Sequence, residues 1–254
     1  MTPAPRPRVA LFVTCLVDAM RPRVGFAALA ALEDAGCEVV VPTRQTCCGQ
    51  PALNSGDAAG AAAIARQTIA LLEPYEAVVV PSGSCAGTII CHYPELLADD
   101  AEWLPRAQAL AAHTHEILTY LDEVRGWQPN VALEASVAYH DSCSGLRELG
   151  IKQQPRRLLS EVAGLRQFPL ARAETCCGFG GTFCVKYPSI SNAIVDEKAQ
   201  AIEASGAELL LAGDLGCLMN MAGKLHRRGA PTRLFHTIEL LAGMGDGPAI
   251  GEER

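Results

Sequence analysis

One set of cysteine landmarks occurs twice in this chain, and any fold must accommodate the duplication. In the first copy the apolar run Val9-Ala10-Leu11-Phe12-Val13-Thr14 leads to Cys15. Thr46-Cys47-Cys48-Gly49 follows, and Val78-Val79-Val80-Pro81-Ser82-Gly83-Ser84 then precedes Cys85. The second copy reads Val137-Ala138-Tyr139-His140-Asp141-Ser142 before Cys143, then Thr175-Cys176-Cys177-Gly178, then Leu209-Leu210-Leu211-Ala212-Gly213-Asp214-Leu215-Gly216 before Cys217. Cys143 lies 128 residues after Cys15, Cys176 lies 129 after Cys47, and Cys217 lies 132 after Cys85. Three landmarks in near-constant register predict two structurally equivalent halves.

In each half a short apolar run of strand type ends at or just before the first and third landmarks, and helical patterns lie between them. Residues 23–35, 57–72, 190–204 and 218–227 are rich in Ala and Leu, and Gly36, Gly206 and Gly229 follow three of these stretches as stop signals. Strands alternating with helices of this length predict an α/β fold. It has two pseudo-symmetric βαβ-type halves with short parallel sheets, and the cysteines sit at the C-terminal ends of strands, where open α/β sheets place their ligands. The expected organisation is a first repeat over 1–93, a mainly helical connection over 94–130, and a second repeat over 131–254.

A chain of 254 residues with 49% hydrophobic side chains can bury a core without covalent staples. Its eleven cysteines therefore need another reason. Directly adjacent cysteines, such as Cys47-Cys48 and Cys176-Cys177, are poor disulfide partners, and a metal or redox site is the better reading. A net charge of −7 without basic blocks gives no footprint for nucleic acid or for a membrane surface. Arg6 and Arg8 before the apolar residues 9–17 imitate a secretory signal. Asp18, Arg21 and Arg23 then stand where a small-residue cleavage site belongs, so a cytoplasmic protein is expected. The charge-free stretch 77–94 carries Pro81, Ser82, Gly83, Ser84 and Gly87, which is loop chemistry and not a membrane span.

Each half thus offers four thiols, Cys15, Cys47, Cys48 and Cys85 in the first and Cys143, Cys176, Cys177 and Cys217 in the second. Four thiolates suit zinc or an iron-sulfur cluster. Structural zinc sites usually grip with short Cys-x(2–4)-Cys knuckles. Here the gaps between successive landmarks are 32 and 37 residues in one half and 33 and 40 in the other. Adjacent cysteines also diverge, and Gly49 and Gly178 let the backbone turn closely around a cofactor. These features favour iron-sulfur, with zinc as the alternative.

Two Cys, Cys-Cys-Gly, Cys arrays at this spacing resemble the CCG cysteine-rich-domain family. It includes the cysteine-rich component of heterodisulfide reductase and iron-sulfur subunits of glycolate, glycerol-3-phosphate and lactate oxidation systems. The lactate branch is the more similar, through residues 11–18, Gln45-Thr46-Cys47-Cys48-Gly49-Gln50-Pro51, Pro81-Ser82-Gly83-Ser84-Cys85, Leu146-Arg147-Glu148-Leu149-Gly150 and residues 176–183. The resemblance spans nearly the whole chain. It implies an iron-sulfur electron-transfer subunit of an L-lactate (2-hydroxy acid) oxidation complex. That subunit would hold one or two clusters of [4Fe-4S] type on the eight cysteines and work with a companion ferredoxin-like iron-sulfur subunit and a third protein of the same operon. Heterodisulfide reductase binds noncubane clusters with five cysteines per half, the last two in a Cys-x-x-Cys pair. Ser82 and Asp214 stand at the first position of that pair here, which points to an ordinary cluster or to an oxygen ligand. Ser144-Gly145 after Cys143 also departs from the bulkier residues of the lactate branch. Thiol-disulfide chemistry at a cysteine-bound cluster is the alternative function, and a structural zinc scaffold a further one.

Other polar residues carry weaker signals. Arg147 and Lys186 lie within ten residues of proposed ligands and can act on a cluster or a carboxylate, though surface ion pairs are the expectation. His140, three residues before Cys143, can ligate or move a proton, but its first-half counterpart is Phe12, so packing at a strand end is expected. His113 and His115, two apart in a predicted helix, face different directions. Gly178-Phe179-Gly180-Gly181 lacks the Gly-x-Gly-x-x-Gly spacing of a dinucleotide site, so the chain reads as a subunit that passes electrons and not as a self-sufficient dehydrogenase. Cys37 and Cys91 are expected to be buried apolar thiols, and Cys184, seven residues after Cys177 and matched by Ser55 in the first half, a non-ligand beside the site.

Overall fold

A computed structural model describes residues 6–252. The chain divides between Trp127 and Gln128 into two compact units, each with a four-stranded, wholly parallel sheet.

In the first unit, β1 (Arg8–Leu11) leads into α1 (Cys15–Met20) and α2 (Pro22–Asp34), followed by β2 (Glu38–Val40). Then come α3 (Gln50–Leu53), α4 (Ala58–Leu72), β3 (Ala77–Val80) and α5 (Gly83–Gly87). A π-helical turn (Thr88–His92), α6 (Tyr93–Leu96), α7 (Trp103–Ala112), β4 (Thr114–Glu116) and α8 (Ile117–Thr119) complete it, with a second π-helical turn at Tyr120–Val124. The strand order is β2-β1-β3-β4. Val9, Ala10 and Leu11 of β1 and all of β3 are buried, as parallel strands covered on both faces must be. Helix α2 turns Val24, Ala27, Ala28, Ala31 and Leu32 inward at helical spacing, and α4 does so with Ala61, Ala65, Thr68, Ile69 and Leu72.

The second unit repeats the plan with β5 (Ala132–Tyr139), α9 (Cys143–Arg147), α10 (Gln153–Ser160), β6 (Ala163–Phe168), α11 (Phe183–Lys186) and α12 (Pro188–Ser205). It closes with β7 (Leu209–Ala212), α13 (Leu215–Arg228), β8 (Arg233–His236) and α14 (Thr237–Leu241). Its strand order, β6-β5-β7-β8, is the first unit's order copied. The match reaches single hydrogen bonds. Phe12 N–H donates to Val79 O at 2.9 Å, and His140 N–H donates to Leu211 O at the same distance. Gly206 and Gly229 end α12 and α13 in the left-handed conformation, at φ 66° and 69°, which explains their place as stop signals.

The expected pair of parallel α/β halves is therefore the observed fold. The stretch 94–130 is not only a helical connection: it holds β4, whose Thr114, His115 and Glu116 pair with Val78, Val79 and Val80 at the edge of the first sheet. His115 accordingly lies in a strand and His113 at the C-terminal cap of α7, not in one helix. The buried Glu116 accepts hydrogen bonds from the Leu118 and Thr119 amides at 2.9 and 3.1 Å and starts α8. In the second unit the equivalent strand end carries a capping box of His236 and Glu239. Residues 9–11 of the signal-like run form the interior of β1. Among the described residues no helix is long and apolar enough to cross a membrane.

Candidate metal centre

Each thiol is carried by a loop or helix start just beyond the C-terminal end of a strand. Cys15 opens α1 after β1, the Cys47-Cys48 pair occupies the loop before α3, and Cys85 sits in the short helix that follows β3. Cys15 Sγ lies 3.7 Å from Cys47 Sγ, and hydrogen-bonding contacts continue from Cys47 to Cys48 and from Cys48 to Cys85. The second unit contains the same succession, Cys143 to Cys176, Cys176 to Cys177, and Cys177 to Cys217. The structure thus brings all eight sequence-predicted cysteines into two groups of four.

The protein sets the geometry of each group through the backbone of the adjacent pair. Gly49 and Gly178 follow the pairs at φ 88° and 82°, a conformation that favours glycine, and turn their amides back onto Cys47 Sγ at 3.4 Å and Cys176 Sγ at 3.3 Å. Tyr93 O–H donates to the Cys48 carbonyl at 2.7 Å, and Asn220 Nδ2 donates to the Cys177 carbonyl at 2.8 Å. Two unrelated side chains fix the same atom in the two units. Ser82 and Asp214, considered above as oxygen ligands, cap the helices that carry the last cysteine. Ser82 Oγ accepts from Cys85 N–H at 3.3 Å and Asp214 Oδ1 accepts from Gly216 N–H at 3.2 Å.

Crowding four thiols together splits their acidities. Cys47 is held well below the ordinary thiol range because Cys15 and Cys48 donate to it, with the Gly49 amide adding to the effect. Cys15 and Cys48 are correspondingly pushed up, by their contact with Cys47 first and by burial as well. Cys176 is lowered in the same way by Cys143 and Cys177, both of which rise. Such a set carries its first negative charge readily and resists the next. It needs a soft cation to release the remaining protons, which is the donor chemistry of a thiolate metal site.

The second unit adds polar groups around the thiols, of which sequence reasoning had weighed only His140, and that chiefly as a packing residue. His140 is fully buried, its Nδ1 is 3.1 Å from Ala173 O, and a ring nitrogen lies within 4.8 Å of Cys177 Sγ and Cys217 Sγ. Burial and then the neighbouring Lys198 push its pKa down to about 3, so the ring is neutral. Lys198, only 1% exposed, donates its ammonium to the carbonyls of Arg172 and Ala173, and burial lowers its pKa to about 8. Asp141, whose side chain is 1% exposed, receives both terminal nitrogens of Arg156 at 2.8 Å. The signal for Lys198 was present in the sequence: it falls in register with Ser191, Val195, Ala199 and Ile202 on the buried face of α12.

The remaining candidates stand apart from the thiol contacts. Cys184 lies in α11 and its Sγ donates to Gly181 O at 3.6 Å. Cys37 is buried, with its Sγ 3.9 Å from Tyr120 Oη, and Cys91 is half-buried in the first π-helical turn. Arg147 and Lys186 are exposed.

Two substitutions probe how firmly the surroundings hold the second site. Both glycines are at positive φ, but a Cβ on Gly178 would lie 2.8 Å from the Ser191 carbonyl, whereas the nearest atom to one on Gly49 is the side-chain Ile64 Cγ2 at 3.3 Å. Gly178→Ala is expected to lose about 2 kcal/mol or more in urea denaturation and to exceed Gly49→Ala. Arg156→Met leaves the buried Asp141 carboxylate without its partner and is expected to destabilise the protein by about 3 kcal/mol in the same measurement.

Comparison with known proteins gives a consistent result. The profile of the CCG "Cysteine-rich domain" family matches residues 9–90 and 137–222, one match in each unit. Lactate utilization protein A of Exiguobacterium sp. is 47% identical over 238 residues, covering 92% of this chain and 97% of that protein. The Bacillus pumilus protein of that name is 45% identical over 235 residues, covering 92% and 98%. Among solved structures, a hypothetical protein from Helicobacter pylori superposes with a TM-score of 0.65 at 12% identity. The match covers 96% of this chain, which spans half the length of that one, and it speaks to the fold alone.

Proposed function

The chain belongs to the family of lactate utilization protein A, built on two CCG cysteine-rich domains, and from that premise we propose that it is the iron-sulfur electron-transfer subunit of an L-lactate oxidation system. The observation that carries the reading is the convergence, in each unit, of four thiols from three separate strand ends. Cys15, Cys47, Cys48 and Cys85 would hold one centre and Cys143, Cys176, Cys177 and Cys217 the other, with [4Fe-4S] clusters as the proposed occupants. When bound, such clusters accept and release single electrons.

The protein's own groups define the surroundings of each set. The Gly49 and Gly178 amides and the thiol-thiol contacts place negative charge on Cys47 and Cys176. Tyr93 and Asn220 lock the peptide carbonyls of the buried cysteines. The Lys198 ammonium, held on two backbone carbonyls, offsets part of the thiolate charge in the second unit and favours extra electron density there. Cys15 is exposed and Cys48 and Cys85 are buried, so the first set has an outer edge that a partner can approach. The companion ferredoxin-like subunit and the third protein of the system belong to this proposal, as does a location in the cytoplasm.

Spectroscopy on anaerobically purified full-length protein tests the reading. The expected result is a brown protein whose visible absorption is bleached by dithionite and restored by an oxidant. A colourless protein carrying stoichiometric zinc would replace electron transfer with a structural scaffold.

A further inference from the structure

The two thiol sets are copies in sequence, but their surroundings are not. At the end of β1 stands Phe12, fully buried, and at the equivalent end of β5 stands His140, equally buried. One imidazole nitrogen has a place in the fold, since Nδ1 faces Ala173 O at 3.1 Å and a carbonyl oxygen can only accept, so Nδ1 carries the hydrogen. The other, Nε2, is buried and has no hydrogen-bond partner. A ring nitrogen of this residue lies within 4.8 Å of both Cys177 Sγ and Cys217 Sγ.

We propose that Nε2 of His140 is a ligand of the second unit's cluster, on an iron beside Cys177 and Cys217 and in place of one of the four thiolates, so that the two units hold chemically different centres. This rests on the reading of the cysteine sets as metal sites and goes beyond it. Metal binding strips the thiols of their protons, so the two sulfurs beside the ring then have nothing to donate to Nε2. With its hydrogen fixed on Nδ1, the ring presents only a lone pair toward those sulfurs, and a metal ion is the one partner that satisfies lone pair and thiolates together. Protonating Nε2 instead would put a second positive charge beside the Lys198 ammonium, which shares the Ala173 carbonyl with Nδ1. A neutral nitrogen ligand supplies less electron density to the metal than a thiolate does, as when histidine replaces cysteine in other iron-sulfur centres, and it raises the reduction potential. The second centre is therefore expected to be reduced before the first.

The test uses full-length protein loaded with iron and sulfide under anaerobic conditions, reduced, and studied by pulsed electron paramagnetic resonance with natural and 15N-labelled histidine. The expected result is a strongly coupled nitrogen that changes isotope with the label and disappears in His140→Phe, which copies the first unit's residue. In that variant the potential of the second centre should fall toward that of the first. Labelling reads the wild type directly, so the outcome does not depend on the variant folding. A reduced, iron-containing wild type without a coupled histidine nitrogen overturns the inference and leaves the metal reading standing. So does a weak coupling with an exchangeable deuteron on the same nitrogen, the mark of a hydrogen bond. A wild type that takes up no iron overturns both.

Discussion

Cys177→Ser is expected to lower bound iron to about half the wild-type amount, while Cys184→Ser keeps the full complement. Both cysteines lie in the segment between β6 and α12, and they differ in contacts. Cys177 is buried, touches Cys176 and Cys217, and has its carbonyl fixed by Asn220. Cys184, in α11, turns its sulfur to Gly181 O in the loop before that helix. A serine hydroxyl is a harder and less acidic donor than a thiol, so it cannot serve as an equal ligand for iron at position 177. Iron and acid-labile sulfide assays on the anaerobic variants check this. Equal loss in both would make Cys184 a fifth ligand of the second unit.

The second large effect concerns turnover. The purified chain alone is expected to oxidise L-lactate with an artificial electron acceptor at a rate at least about a hundredfold below that of the chain mixed with the proposed companion subunits. Two-electron removal from a 2-hydroxy acid normally calls for an organic cofactor, and the glycine-rich run at Gly178 serves another purpose. Its amide meets Cys176 Sγ, and its carbonyl accepts from Ser191 Oγ at 2.8 Å. Steady-state assays of the components separately and together check the prediction, and full turnover by the chain alone would make it an enzyme in its own right.

The sequence carried the fold through its repetition. Apolar runs before the cysteines became β1, β3, β5 and β7, and the Ala- and Leu-rich stretches became α2, α4, α12 and α13, with boundaries shifted by a few residues. The edge strands were less legible. β4 is Thr-His-Glu, and β6 is exposed along nearly all its length, so neither has the apolar run that marks a central strand. At the candidate site, cysteine spacing sufficed to group the eight thiols, because the loops that carry them follow equivalent strands. What surrounds them was hidden for the opposite reason. His140 and the Asp141–Arg156 pair have no polar counterparts in the first half, and comparing the halves reads such residues as drift. His140 was expected to pack, and it does, but the same burial brings its nitrogen beside two sulfurs. Ser82 and Asp214, weighed as oxygen ligands, are seen in the structure as caps of the helices that carry Cys85 and Cys217.

The central claim is that each unit binds an iron-sulfur cluster at its set of four cysteines. Iron, acid-labile sulfide and zinc per chain, measured on wild-type protein purified without exposure to air, test it most directly. With a [4Fe-4S] cluster in both units the result is about eight iron and eight sulfide per chain and no zinc. Fewer than about three iron per chain, with zinc present in stoichiometric amount, would contradict it.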